Sequence, residues 1–203
     1  MKTMLWAAGE ISAVIGGSDG PTAIFVAVKV ADDTVSLLVK AGVILAFCLL
    51  FWAGCYKGTG SDEKNLKSFH SYPVKVQELV RAQNKLNGKV PKQVSIPRTL
   101  LANILVFAVL FFVIGLILQF TVGFRSVGEV FVYFFLFGEI LNLFDLVVID
   151  LLWWRNTKRI RFSFAMEKEL YQDPKKHVDS FLRGIPTFAV VALIVAGIFV
   201  LIL

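Results

Sequence analysis

Long apolar runs along the chain are separated by two polar, basic stretches. Leu37 to Tyr56, Thr99 to Val122, Gly128 to Trp154 and Ile185 to Leu203 are each near or above the ~20 residues that carry a helix across a bilayer. Leu100 to Phe120 and Ile185 to Leu203 hold no charged residue, which a water-soluble core of this size does not require. Ahead of these runs, Met4 to Ile15 and Pro21 to Val30 read as two half-helices, each too short to span alone, with a Gly-rich break between them and a short link at Asp32 and Asp33. The pattern predicts an all-α protein, a polytopic membrane helical bundle with about five crossings, one of them a discontinuous helix at the N-terminus. The expected order is a discontinuous helix over 1–33, a transmembrane helix over 34–57, a basic segment over 58–98, a transmembrane hairpin over 99–154, a second basic segment over 155–184 and a last span over 185–203.

Within the first basic segment, Val76, Leu79, Val80 and Leu86 recur at roughly helical spacing and Asn87-Gly88 closes the run, so Pro73 to Leu86 reads as an amphipathic helix at the membrane interface. The hairpin turn falls around Gly123 to Val127. Trp153-Trp154 followed by Arg155 is an aromatic-belt pattern that ends a span. Asp173-Pro174 supplies an N-cap and first helical residue for a helix running into the last span, with Pro186 bending it. Lys40 lies close enough to its helix end to snorkel.

Composition strengthens the membrane reading: 57% of the residues are apolar and mean hydropathy is +0.72. The net charge of +6 is concentrated between helices. Lys57 to Arg98 holds nine Lys/Arg against three Asp/Glu, and Arg155 to Arg183 eight against four. Positive loops beside spans follow the positive-inside rule, so both segments and the N-terminus are expected on the cytoplasmic side of the inner or plasma membrane, with the C-terminus external. If the N-terminal region re-enters instead of crossing, the N-terminus moves outside. Anionic lipid head groups are the expected partner of these segments, and nucleic acid is not. Lys2 before a mildly apolar stretch resembles a signal-peptide start, but Glu10 interrupts it and no Ala-x-Ala site follows, so residues 1–30 are kept in the mature chain. Cys48 and Cys55, seven apart on one predicted helix, are ~10 Å apart and beyond disulfide reach.

The chemistry concentrates first at Gly16 to Phe25, Gly-Gly-Ser-Asp-Gly-Pro-Thr-Ala-Ile-Phe. Gly16 and Gly17 end a half-helix and leave carbonyl oxygens without helical partners. Gly20 and Pro21 start the next, whose free N–H groups favour a charged Asp19, and Ser18 and Thr22 add hydroxyl oxygens. The alternative is a Ser-Asp-Gly-Pro turn between two short elements. This run resembles the signature of the β subunit of the sodium-pumping biotin-dependent decarboxylases, over roughly residues 10 to 30. The resemblance implies that Asp19 takes part in binding and translocating Na⁺, with Ser18, Thr22, Gly16 and Gly17 around it. Those β subunits are much longer, and neither a repeat of the element nor a second polar constellation is visible here. A site completed by oligomerisation or by decarboxylase subunits is therefore expected.

The second concentration is Glu129, Glu139, Asn142, Asp145 and Asp150 on one predicted span. At α-helical pitch, Glu139 and Asp150 fall within about 20° of each other and Asn142 about 60° away. Intramembrane acids face a bundle interior or a wet cavity, so Glu139, Asn142 and Asp145, with Glu10, form a candidate ion path. An interhelical hydrogen bond that only holds the bundle together fits Glu139 and Asn142 equally well. Asp150, and alternatively Asp145 with it, is expected near the cytoplasmic end, neutralised by Arg155, Lys158 or Arg159, and Glu129 at the external interface. Asn103 is ambiguous in the same way as Glu10. His70 and His177 lie in polar segments as solvated surface histidines, and no metal site beyond the Na⁺ candidate is expected. No nucleophile elbow, phosphate loop, zinc spacing or biotin-attachment sequence is present, so neither catalysis nor a cofactor is expected of the chain alone. Two functions compete: a component binding or conducting Na⁺ or H⁺ at Asp19, and a non-transporting membrane adaptor or assembly protein whose basic segments bind anionic lipid or a protein partner.

Overall fold

The computed structural model describes residues 22–83, 86 and 88–203, with side chains from residue 33 onward. The protein is all-helical. In chain order the helices are α1 (Thr22–Lys57), α2 (Asp62–Lys67), α3 (Val74–Ala82), α4 (Ile96–Thr121), α5 (Val127–Phe144) and α6 (Lys175–Phe199), with short 3₁₀ turns at Phe69–Ser71 and Lys168–Tyr171. α5 continues without a break into a π-helical segment, Asp145–Trp154. Among the described residues four stretches are long and apolar enough to cross a membrane: Asp33–Lys57, Ile96–Thr121, Val127–Trp154 and Lys168–Phe199.

The chain divides into two compact units, Met1–Val39 and Lys40–Leu203. In the first, the described part is the start of α1, which exposes Val35, Leu37 and Leu38. The expected discontinuous helix lies largely outside the described residues. Its described part differs from expectation, because α1 runs unbroken through Asp32 and Asp33 where a link was expected. No glycine or proline occurs between Thr22 and Gly42, and two aspartates weaken a helix without breaking it.

In the second unit, α6 packs along α5 and α4. Lipid offers apolar side chains no less than a protein core does, so membrane helices associate through close packing. Glycines supply it here. A Cβ on Gly138 of α5 would collide with Phe188, and one on Gly184 of α6 would collide with the Asn142 side chain. The space between helices is filled by rings: Phe111 stacks on Phe137 with centroids 4.7 Å apart, and Phe107 meets Phe188 edge-on at 5.0 Å. The hairpin turn is as expected. Gly123 has φ +74°, its N–H donates to Leu118 O, and Ser126 caps α5 by accepting from Glu129 N. The cap of α6 is displaced by one residue: the helix begins at Lys175, whose N–H donates to Asp173 Oδ1 at 3.0 Å.

The two basic segments fold together into one cap with its own core of Leu66, Phe69, Tyr72, Val76, Val80, Trp154, Ile160, Phe162, Ala165 and Tyr171. Buried hydrogen bonds join them. Tyr72 Oη donates to Ile160 O at 2.8 Å, Asn65 Nδ2 to Arg159 O at 3.0 Å, and Tyr171 Oη to Ala165 O at 2.8 Å while accepting from Phe162 N. Burial pushes the Tyr72 hydroxyl well above its ordinary pKa. The expected amphipathic helix is the shorter α3, and its stripe differs in purpose: Val76 and Val80 are fully buried in the cap core, not laid on lipid.

Candidate functional site

Polar side chains of α5 and its π-helical continuation form a seam against α6. Glu139 is half-buried, and its Oε1 is enclosed without a hydrogen-bond partner. Asn142, one turn on, lies against Gly184 and donates Nδ2 to Phe181 O at 3.1 Å. That carbonyl belongs to the turn before Pro186, where the missing proline N–H loosens the helix ladder.

From Asp145 the backbone is wound with i→i+5 hydrogen bonds, as in Arg155 N to Asp150 O. In an α-helix residues five apart point ~140° away from each other. The wider winding instead turns Asp145 and Asp150 toward a common side, where Asp145 lies within electrostatic range of both Asp150 and His177. Asp150 Oδ2 is 2.8 Å from His177 Nδ1, and the two side chains are 14% and 9% exposed. The Trp154 ring meets the His177 imidazole at 5.9 Å, and its Nε1 is buried without a partner. Orphaned buried groups are uncommon in folded proteins, and π-helical turns recur at functional sites.

Several expectations are corrected here. His177 is not a solvated histidine but the buried partner of Asp150, and Arg155, Lys158 and Arg159 do not neutralise that carboxylate by ion pairing. The near alignment of Glu139 with Asp150 assumed uninterrupted α-helix, which the π-helical segment replaces. His70 is half-buried, with Nε2 2.9 Å from Pro91 O. Lys40 does not reach for the interface alone: its Nζ lies 2.6 Å from Glu129 Oε1 and 4.5 Å from the Phe124 ring centroid, and it is 8% exposed. Asn103 is exposed on α4. Cys48 and Cys55 are free thiols on α1.

Glu10, Gly16, Gly17, Ser18 and Asp19 lie outside the described residues, as does the side chain of Thr22. Of the expected path, the structure brings Glu139, Asn142 and Asp145 to one seam and adds His177 and Trp154. Neither addition had a signal in the sequence, because His177 belongs to a different helix and Trp154 reads as a belt residue. Among the described residues no three His, Cys, Asp or Glu side chains are placed to hold a metal ion. Comparison with protein-family models, curated proteins and solved structures finds no match to this chain.

Proposed function

We propose that the protein is a multi-pass membrane component that takes up a monovalent cation, Na⁺ or H⁺, with Asp19 as the charged ligand. Glu139, Asn142 and Asp145 supply the exchangeable polar groups within residues 40–203, and partner subunits or further copies complete the assembly. The observation that carries this reading is Glu139: an acid in a membrane-spanning helix with Oε1 enclosed and unpartnered, and with Asn142 interacting with its carboxyl. Placing such a group at membrane depth costs ~2.5 kcal/mol or more, so intramembrane acids that persist mark ion or proton routes. The resemblance of Gly16 to Phe25 to the sodium-pump signature supports the same reading.

The test is thermal unfolding of the purified chain in NaCl and, at matched ionic strength, KCl or choline chloride, for wild type, Asp19→Asn and Glu139→Gln. A native-state ligand at 100 times its Kd adds about 2.7 kcal/mol. The expected result is a sodium-specific rise in Tm that Asp19→Asn removes; coincident curves in all salts reject sodium uptake. A second reading, a non-transporting adaptor, is favoured by one observation: the basic segments fold into a single cap. It gains if the sodium response is absent.

A further inference from the structure

The cap carries a groove of about 560 Å³ where the residues just after α1 face the loop that follows the π-helical segment. Its basic lining is Lys158, Arg159 and Arg161, with hydroxyls from Ser61 and Ser163. We propose that this groove binds the phosphate of an anionic phospholipid head group.

Three independent observations carry the assignment. The first is depth. The groove begins three residues after the end of α1 at Lys57 and four after the end of the π-helical segment at Trp154. Aromatic rings gather at those ends: Trp52 and Tyr56 have centroids 5.9 Å apart, and Tyr56 and Trp153 6.4 Å. Such belts sit at the level of the head groups.

The second is the fixed charge of Arg159. Its Nη2 donates to Tyr56 O and Thr59 O, both at 3.0 Å, and its guanidinium lies 3.9 Å from the Tyr56 ring centroid. Gly60 makes room for it: φ is +109°, and a Cβ there would come within 2.8 Å of Arg159 Nη2. One edge of the guanidinium is thereby used to hold the end of α1. The Nε atoms of Arg159 and Arg161 are enclosed and do not reach the groove, and Nη1 of Arg161 donates to Met166 O. A guanidinium held in place suits a phosphate better than a mobile ammonium group does.

The third is charge: three cations, Lys158, Arg159 and Arg161, line the groove against two acids, Asp62 and Glu63. Asp62 accepts from Ser163 N at 2.9 Å and from Ser163 Oγ at 2.6 Å, and Glu63 lies 3.8 Å from Lys89 Nζ, well out in solvent. The groove therefore presents net positive charge at the phosphate level.

The assignment is independent of ion uptake at Asp19 and gives the adaptor reading a defined ligand. The test titrates phosphatidylglycerol into phosphatidylcholine–detergent micelles holding the full chain and follows the rise in Tm. Loss of one cation near a lipid surface weakens attraction by about fivefold. Lys158→Gln is expected to raise the half-saturating phosphatidylglycerol fraction about fivefold, and Lys158→Gln/Arg161→Gln about 25-fold on the same scale. The control Lys92→Gln/Lys168→Gln removes the same charge elsewhere on the cap and is expected to change it less than about twofold. Unfolding in phosphatidylcholine alone checks that each variant folds, and the single Lys158 variant leaves the Arg161 hydrogen bond intact. Equal shifts in the control would reduce the effect to diffuse attraction, which overturns the groove while leaving the adaptor reading standing. No phosphatidylglycerol response in wild type would overturn the groove and the lipid branch of the adaptor reading, leaving its protein-partner branch. Stabilisation by inorganic phosphate in phosphatidylcholine alone, to the same extent, would overturn the lipid assignment in favour of free phosphate. The sodium response of Asp19→Asn is read separately from all of these.

Discussion

His177 and Asp150 hold each other at 2.8 Å where α6 passes the π-helical segment. Both are largely enclosed, so neither has water to replace a lost partner. Removing one member of such a pair costs ~3 kcal/mol, whereas removing both costs less than the sum. His177→Ala and Asp150→Asn are therefore each expected to lower stability sharply, and the double variant to recover at least ~1 kcal/mol relative to additivity. Denaturant unfolding of the four proteins measures this; additive losses would show that the two side chains do not act as a pair. Nothing in the sequence announces the pair. Asp150 reads as a carboxylate awaiting a nearby arginine, and His177 as one more polar residue of a basic stretch. Asn142 was more legible, since an amide in an apolar span needs an interhelical acceptor, although its partner Phe181 O could be known only from the packing.

At the scale of elements, the spans and the hairpin turn were legible because their signals are local: uncharged runs, Gly123 after a helix, Pro186 inside one. The π-helical winding of Asp145–Trp154 was not, because its apolar composition suits an ordinary helix equally well. Neither was the cap. A stripe of Val76 and Val80 at helical spacing looks the same whether lipid or Tyr72 and Phe162 cover it. Asp19 and its neighbours lie outside the described residues, so that part of the candidate site rests on the sequence alone. The cap depends on a few buried polar contacts, and Tyr72→Phe leaves Ile160 O without its donor. That costs about 1–2 kcal/mol, and hydrogen exchange is expected to quicken across residues 58–83 and 155–174 while the amides of α4 and α5 keep their protection. Uniformly quickened exchange would show that cap and spans open as one unit.

For the molecule as a whole, α4 and α5 are expected to set which connections share a side. α4 has 26 residues, ~39 Å of helix, enough to carry the chain from the cap to the Gly123 turn, and α5 with its π-helical extension returns it. In a background lacking Cys48 and Cys55, single cysteines at Ser163 and Gly58 are expected to react with a membrane-impermeant thiol reagent from the same side, and one at Arg125 from the other. Labelling of Arg125→Cys from the cap side would overturn this arrangement. α1 is the least covered of the four spans, with 11% of its apolar window buried. Near its middle it is tied to the rest by the Lys40 to Glu129 ion pair and by Tyr133 Oη donating to Lys40 O. The partners are 89 residues apart in the chain. During synthesis α1 therefore enters the bilayer carrying an ammonium ion whose counter-charge has yet to be translated. Its anchoring is completed only when α5 emerges, so a chain interrupted before Glu129 leaves the ribosome with its first described span still unsecured.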